Sequence, residues 1–407
     1  MKSPIHSFVV NDRFDPSEAY PENLRPILNR ADSDQARRDI AVWEGYEVTP
    51  LASLPGLAGR LGIGSLFYKD EAGRFGLGSF KSLGGAYAVL RILLKHVAAK
   101  TGETVGVADL ISGKHARLTG ELTVCSATDG NHGRSVAWGA RLFGCKCVIY
   151  IHATVSEGRR RAIADYGAEV IRVAGNYDET VRFCAAEAER HGRIVVSDTS
   201  YEGYTDIPRD VMRGYTVLAA EIVEQFEGKT PPTHVFVQSG VGGLAAAVCS
   251  YFWDAWKGRR PVFVVVEPEN AACFRDSVSA GKPMAVGGDL ETMMAGLSCG
   301  EVSLIAWDIL SAGANAALSI SDRPVGPCMR ARARPCEGDA PITAGESAVG
   351  GLAGLLAALG EAGVRARLGL DENSAVLCIG SEGATDPALY ASIMEADPGF
   401  SARDMRV

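Results

Sequence analysis

Apolar residues fall in short unbroken runs separated by stretches of helical spacing over most of the chain. The alternation is most regular from Leu122 onward. Residues 122–127, 147–151, 169–173 and 194–197 read as strands, and 134–143 and 157–166 as helices. Asn176, with Glu179 three residues on, has the spacing of a helix cap and opens a helix to about residue 190. The pattern continues with helix 210–226, strand 234–238, helix 244–256 and strand 262–266. Helices at 304–312 and 347–359 and a buried strand at 375–379 complete it. Upstream, 66–71 is a short strand ending in charge and 86–99 has apolar positions at helical spacing. Residues 100–120 predict an irregular connection. The polar, proline-dotted stretch 1–40 predicts an arm that wraps or pairs.

Strands alternating with helices through short links predict α/β architecture. Two domains are expected, each an open, mostly parallel twisted sheet flanked by helices. The small one takes 122–212; the large one takes 1–121 together with 213–407. A chain of 407 residues is long enough for both.

Composition narrows the function. Hydrophobic residues make up 47% and charged ones 22%, as in soluble globular proteins. The formal net charge is -8 and no block of Lys and Arg is present, which argues against nucleic acid as a partner. No apolar run approaches the roughly 18–20 residues of a membrane span, and Met1–His6 lacks the apolar core of a signal peptide. Ten scattered cysteines fit reduced thiols and a cytoplasmic protein. Cys145-Lys146-Cys147 lacks zinc-ligand spacing, so no metal is expected.

Candidate chemistry begins with Lys81, in Gly78-Ser79-Phe80-Lys81-Ser82-Leu83-Gly84-Gly85. A partly desolvated amine among small neighbours can attack a carbonyl; a solvated charge at a helix start is the plain alternative. Ser126-Ala127-Thr128-Asp129-Gly130-Asn131-His132-Gly133 follows a strand, where ligands collect in open parallel sheets. A helix cap by Asp129 or Asn131 would explain one of its polar residues, not three. Gln238-Ser239-Gly240-Val241-Gly242-Gly243-Leu244 joins a strand to a helix start and suits a phosphate, although a tight turn has the same look. Asp198 follows another strand. Ser381 and Thr385 follow the last one, where a hydroxyl could face a heterocycle nitrogen. Gly345-Glu346-Ser347 could do the same or cap a helix.

Together these stretches resemble the fold-type II family of pyridoxal phosphate enzymes, with its tryptophan synthase β-like fold. Within it the resemblance is to the diaminopropionate ammonia-lyases. It is carried by Lys69-Asp70-Glu71, Arg74-Phe75-Gly76-Leu77, Phe80-Lys81, Leu83-Gly84-Gly85-Ala86-Tyr87, Ala127–Arg134, Asp198-Thr199, Glu202-Gly203-Tyr204, Gly214-Tyr215, Met294-Ala295-Gly296-Leu297 and Glu382-Gly383. The resemblance implies pyridoxal 5'-phosphate as cofactor and α,β-elimination of D- or L-2,3-diaminopropionate to pyruvate and two ammonia. It implies a homodimer acting on a small amino acid. Lys81, beside Phe80, would bind the cofactor aldehyde and Asn131 its ring hydroxyl. Gly240, Val241, Gly242, Gly243 and Leu244 would take the phosphate. Asp129 and Asp198 would remove the α-proton from D- and L-substrates, with His132 steadying the substrate carboxylate or Asp129. Cys273 and Cys299 match positions that form a disulfide in some members. Ser79, Gly345–Gly350 and Gly380-Ser381 depart from the family pattern, which leaves the ring-nitrogen partner open between Ser381, first, and Thr385, second. A serine or threonine dehydratase, another β-eliminating lyase, and a noncatalytic sensor are the competing readings.

Overall fold

The computed structural model describes residues 3–128, 130–175 and 177–396. The chain forms two compact units. One comprises the described residues of Met1–Arg30, Val48–Gly73 and Leu218–Val407. The other comprises Ala31–Glu47 and Arg74–Val217.

The first unit is built on seven strands: β1 (Ile5–Val10), β2 (Leu51–Ser53), β3 (Ser65–Asp70), β8 (His234–Gln238), β9 (Val262–Pro268), β10 (Ala316–Ile320) and β11 (Ala375–Gly380). Their order is β1-β10-β9-β8-β11-β3-β2. The five central strands run parallel, and β1 and β2 close the edges antiparallel. The N-terminal arm thus pairs rather than wraps: Ile5–Val10 lies along β10. β8 is buried at every position and β9 at every position but its first, which is why these strands read as unbroken apolar runs. Helix Gly350–Gly360 packs on them at backbone distance. A Cβ on Gly351 would stand 2.4 Å from the Phe236 carbonyl oxygen, and one on Gly354 2.5 Å from a Val266 methyl.

The second unit carries β4 (Thr123–Ala127), β5 (Lys146–Ile151), β6 (Glu169–Arg172) and β7 (Ile194–Val195), all parallel, in the order β6-β5-β4-β7. Three helices, Lys81–Thr101, Asn131–Phe143 and Asp206–Gln225, matter for the chemistry. Small residues let the first approach the other two. A Cβ on Gly85 would lie 2.5 Å from Ser135 Oγ, and one on Gly84 2.3 Å from the Tyr215 ring. Ser135 Oγ accepts the Ala86 N–H at 3.1 Å.

Several elements differ from the sequence expectation. The connection 100–120 contains two short helices, Val107–Ile111 and Ala116–Thr119. The helix expected from Ser347 starts at Gly350, and Ser347 Oγ instead accepts the Gly296 N–H at 3.1 Å. The cap expected at Asn176 lies outside the described residues. Among the described residues no helix is long and apolar enough to cross a membrane.

Candidate active site

Lys81 opens the helix Lys81–Thr101, directly after a loop whose Gly76 and Gly78 take left-handed φ of 69° and 75°. Ser79 Oγ accepts the Lys81 backbone N–H at 3.1 Å, which sets the entry into the helix. The side chain then runs over the Phe80 and Tyr215 rings, Nζ lying 5.5 and 6.0 Å from their centroids. It ends against Asp198 Oδ2 in a short ion pair. Both side chains are largely covered, at 20% and 15% exposure.

Asp198 stands three residues beyond β7, and His132 five beyond β4, so neighbouring parallel strands deliver both at their carboxyl ends. His132 Nε2 is 2.9 Å from the Val196 carbonyl oxygen. A carbonyl only accepts, so Nε2 carries a proton, and Nδ1 faces Asp198 Oδ2 at 3.8 Å, where a second proton on the ring gives the imidazolium that supports the carboxylate. Burial pushes the Asp198 carboxyl up, but the charges of Lys81 and His132 and the hydrogen bond from Lys81 outweigh it. The carboxyl is held well below the usual carboxylate range.

The turn between β4 and the helix Asn131–Phe143 is capped by Thr128. Its Oγ1 accepts the N–H of Gly130 at 3.0 Å and of Gly133 at 3.2 Å. Thr128 thus caps this turn, while the cap expected of Asp129 falls on a residue outside the described ones. Asn131 is the first residue of its helix and half-buried. Asp129 lies outside the described residues.

The sequence marks Tyr215 only as part of the Gly214-Tyr215 motif. It is 1% exposed, and its ring packs on Phe80 with centroids 4.7 Å apart. Its hydroxyl has no hydrogen-bond partner among the described residues. Burial pushes that phenol upward, Lys81 opposing. A Gly-Tyr dipeptide within a helix carries no such signal; the role comes from the packing.

The glycine loop forms as expected. Ser239 N–H bonds to Val266 O at 2.9 Å, Gly242 takes φ of 97°, and helix Gly243–Trp256 follows. A Cβ on Gly240 would stand 3.0 Å from Cys299 Sγ, and one on Gly242 the same distance from Ala306 Cβ. The first N–H groups of that helix have no partner within it, and with the helix dipole they favour an anion. Cys273 Sγ lies 3.8 Å from Gly240 O; Cys273 and Cys299 are both thiols here.

β11 is parallel to β8, so the segment after Gly380 emerges beside Gln238. Ser381 is 3% exposed and its Oγ accepts from Gln238 Nε2 at 2.9 Å. Thr385 turns to the Glu382 carboxylate instead, 3.4 Å away. Glu346 is buried next to Ser347, whose N–H donates to Glu382 Oε1 at 3.2 Å.

Lys69 is a second buried lysine, but its amine is spent. Nζ donates to Thr49 O at 2.8 Å, Glu221 Oε2 at 2.7 Å and Gln225 Oε1 at 3.1 Å.

Comparison with known proteins adds independent findings. The family model described as "Pyridoxal-phosphate dependent enzyme" matches residues 42–379. Diaminopropionate ammonia-lyase of Escherichia coli K12 is 39% identical over 378 residues, covering 91% of this chain and 92% of that protein. The crystal structure of the holo form of the Escherichia coli enzyme superposes with a TM-score of 0.86 at 36% identity, over 96% of both chains. A structure of that enzyme in complex with an aminoacrylate-PLP azomethine reaction intermediate superposes with a TM-score of 0.84, again at 36% identity over 96% of both chains.

Proposed function

The chain belongs to the pyridoxal-phosphate-dependent enzyme family and, within it, to the diaminopropionate ammonia-lyases, and from that premise we propose that it converts 2,3-diaminopropionate to pyruvate and two ammonia. The single observation that carries the reading is Lys81 Nζ paired with Asp198, with His132 behind the carboxylate.

The residues present fit the cofactor. The buried Tyr215 hydroxyl needs a polar partner. Gly240 and Gly242 stand where a side chain would crowd Cys299 and Ala306. Ser381 is buried with a hydroxyl proton that Gln238, itself a donor, does not take. Lys81 would hold the aldehyde, Asn131 the ring hydroxyl, the N–H groups of 240–244 the phosphate, and Ser381 rather than Thr385 the ring nitrogen. When bound, the cofactor supplies an electron sink for charge developing at the substrate Cα.

Asp198 is ionised across the neutral range, so it can accept the α-proton of the L-substrate without first losing one. Asp129 is given the same task for the D-substrate. The line Lys81 Nζ, Asp198 Oδ2, His132 Nδ1 then offers that proton a route. It would move from Oδ2 to Nζ, which can take it only as the neutral amine that Lys81 becomes once the substrate amine has displaced it, and from Nζ to the departing β-amine, which leaves as ammonia. Phe80 and Tyr215 wall the Lys81 amine on one side and keep water from it. We further propose a homodimer in the cytoplasm.

Purified protein with cofactor, assayed in parallel on D- and L-2,3-diaminopropionate and on serine, tests the reading. It requires two ammonia per pyruvate and a clear preference for the diamino acid. Faster turnover of serine, with one ammonia per pyruvate, would make the chain a dehydratase instead.

A further inference from the structure

Gln238 ends β8 with its side chain 2% exposed. Its Nε2 lies 2.8 Å from the Ile379 carbonyl oxygen and 2.9 Å from Ser381 Oγ. The Ala348 carbonyl oxygen is 3.5 Å off and already takes the Tyr68 hydroxyl at 3.0 Å. Chemistry alone orients this amide. A carbonyl only accepts, so a flipped amide would press two oxygens together at Ile379. The two amide hydrogens therefore go to Ile379 O and Ser381 Oγ, and Ser381 accepts on that side.

A serine hydroxyl has one proton. Gln238 Nε2 cannot receive it, and no hydrogen bond among the described residues shows it given elsewhere. The amide is also held in place. A Cβ on Gly350 would come within 2.8 Å of Gln238 Cβ, and one on Gly351 within 3.3 Å of Oε1, so the helix start closes over it.

We propose that Gln238 is a positioning residue that turns the Ser381 hydroxyl into a donor toward the cofactor's ring nitrogen and so keeps that nitrogen unprotonated during elimination. The inference rests on the assignment of Ser381 to the ring nitrogen made above. A hydroxyl can meet a ring nitrogen in two ways: it donates to a bare nitrogen, or it accepts from a protonated one. With a donor at 238, the only way to bury the Ser381 proton satisfied is to give it to the nitrogen. With an acceptor at 238, the proton would turn back to that side chain and leave a lone pair facing the ring.

Gln238→Glu makes that exchange with little change of size. Ile379 O still demands a proton, so a buried carboxyl keeps its own there and presents lone pairs to Ser381. The readout is the 15N chemical shift of the ring nitrogen in holoenzyme loaded with 15N-labelled pyridoxal phosphate. Wild-type protein should show an unprotonated nitrogen. Gln238→Glu should move it toward the protonated position and lower kcat for elimination about tenfold with KM nearly unchanged. Ser381→Ala should shift the resonance by itself and abolish any further effect of Gln238→Glu. Gln238→Met, which lacks the donor but keeps the length, should move the resonance part of the way and carries the test if the carboxyl prevents folding. A protonated nitrogen in wild type overturns the proposal. So does a resonance that answers to Ser381→Ala but not to either Gln238 variant. If Ser381→Ala leaves the resonance in place, the assignment of Ser381 falls first, and the role of Gln238 with it.

Discussion

Asp198 keeps its negative charge in a covered setting because a cation touches it and an imidazole backs it. That arrangement makes two predictions. Asp198→Asn should lower kcat/KM for L-diaminopropionate by roughly 10²–10⁴-fold, the usual weight of a general base, while the D-isomer loses far less. Asp129→Asn should reverse the pattern, and equal losses for both isomers in either variant would end the division of labour. The same carboxyl also couples stability to pH. Its native pKa lies below the ordinary 3.8, so the native state resists protonation more than the unfolded chain does. The stability this supplies is complete above that value and drains as pH falls below it. Urea unfolding between pH 7 and pH 3 should therefore steepen at the acid end in wild type, and flatten there in Asp198→Asn. Tyr215 gives a third test. Phenylalanine removes a buried hydroxyl whose polar neighbour in the cofactor-free protein is the Lys81 amine, so that form should unfold at nearly the same temperature. Turnover should drop roughly tenfold if that hydroxyl serves a ligand. A variant that melts lower and turns over normally would make Tyr215 a structural residue.

At the level of elements, glycines do more than shape loops. Gly84 and Gly85 let helix Lys81–Thr101 touch two other helices at backbone range, and that contact holds Lys81 near the turn at 130–133. Gly351 and Gly354 do the same for helix Gly350–Gly360 on β8 and β9. Between β3 and helix Asp206–Gln225 the glue is ionic: Lys69 and Glu221 pair at 2.7 Å with both side chains at 0% exposure. Lys69→Met would strand the Glu221 charge in the interior. A loss of about 3–5 kcal/mol in denaturant unfolding is expected, the range for removing one member of a buried pair. A loss below ~1 kcal/mol would mean that water reaches the pair.

The division of the chain into sheet-building segments was readable because buried parallel strands announce themselves. His234–Gln238 is predicted to the residue by its apolar run between turn signals. β10 carries no such signal: Ala316–Ile320 is alanine-rich, and without alternation it looks like the helices around it. Helices Cys273–Ala280 and Val325–Ala333 are not legible in the sequence, being short and irregular in apolar spacing. Helix Lys81–Thr101 starts five residues before the expected point, since Gly84-Gly85 reads as loop until its packing is known. Lys81, His132 and Asp198 were visible as motifs after strands. Tyr215 and Gln238 were not, since their meaning comes from partners more than 130 residues away along the chain.

The most direct measurement is borohydride reduction of the protein purified with pyridoxal phosphate, followed by peptide mass spectrometry. The reading predicts loss of the visible absorption and one phosphopyridoxyl group per chain, on Lys81. It also predicts that Lys81→Ala gives neither label nor turnover. Label on another lysine, or turnover that survives Lys81→Ala, would contradict it.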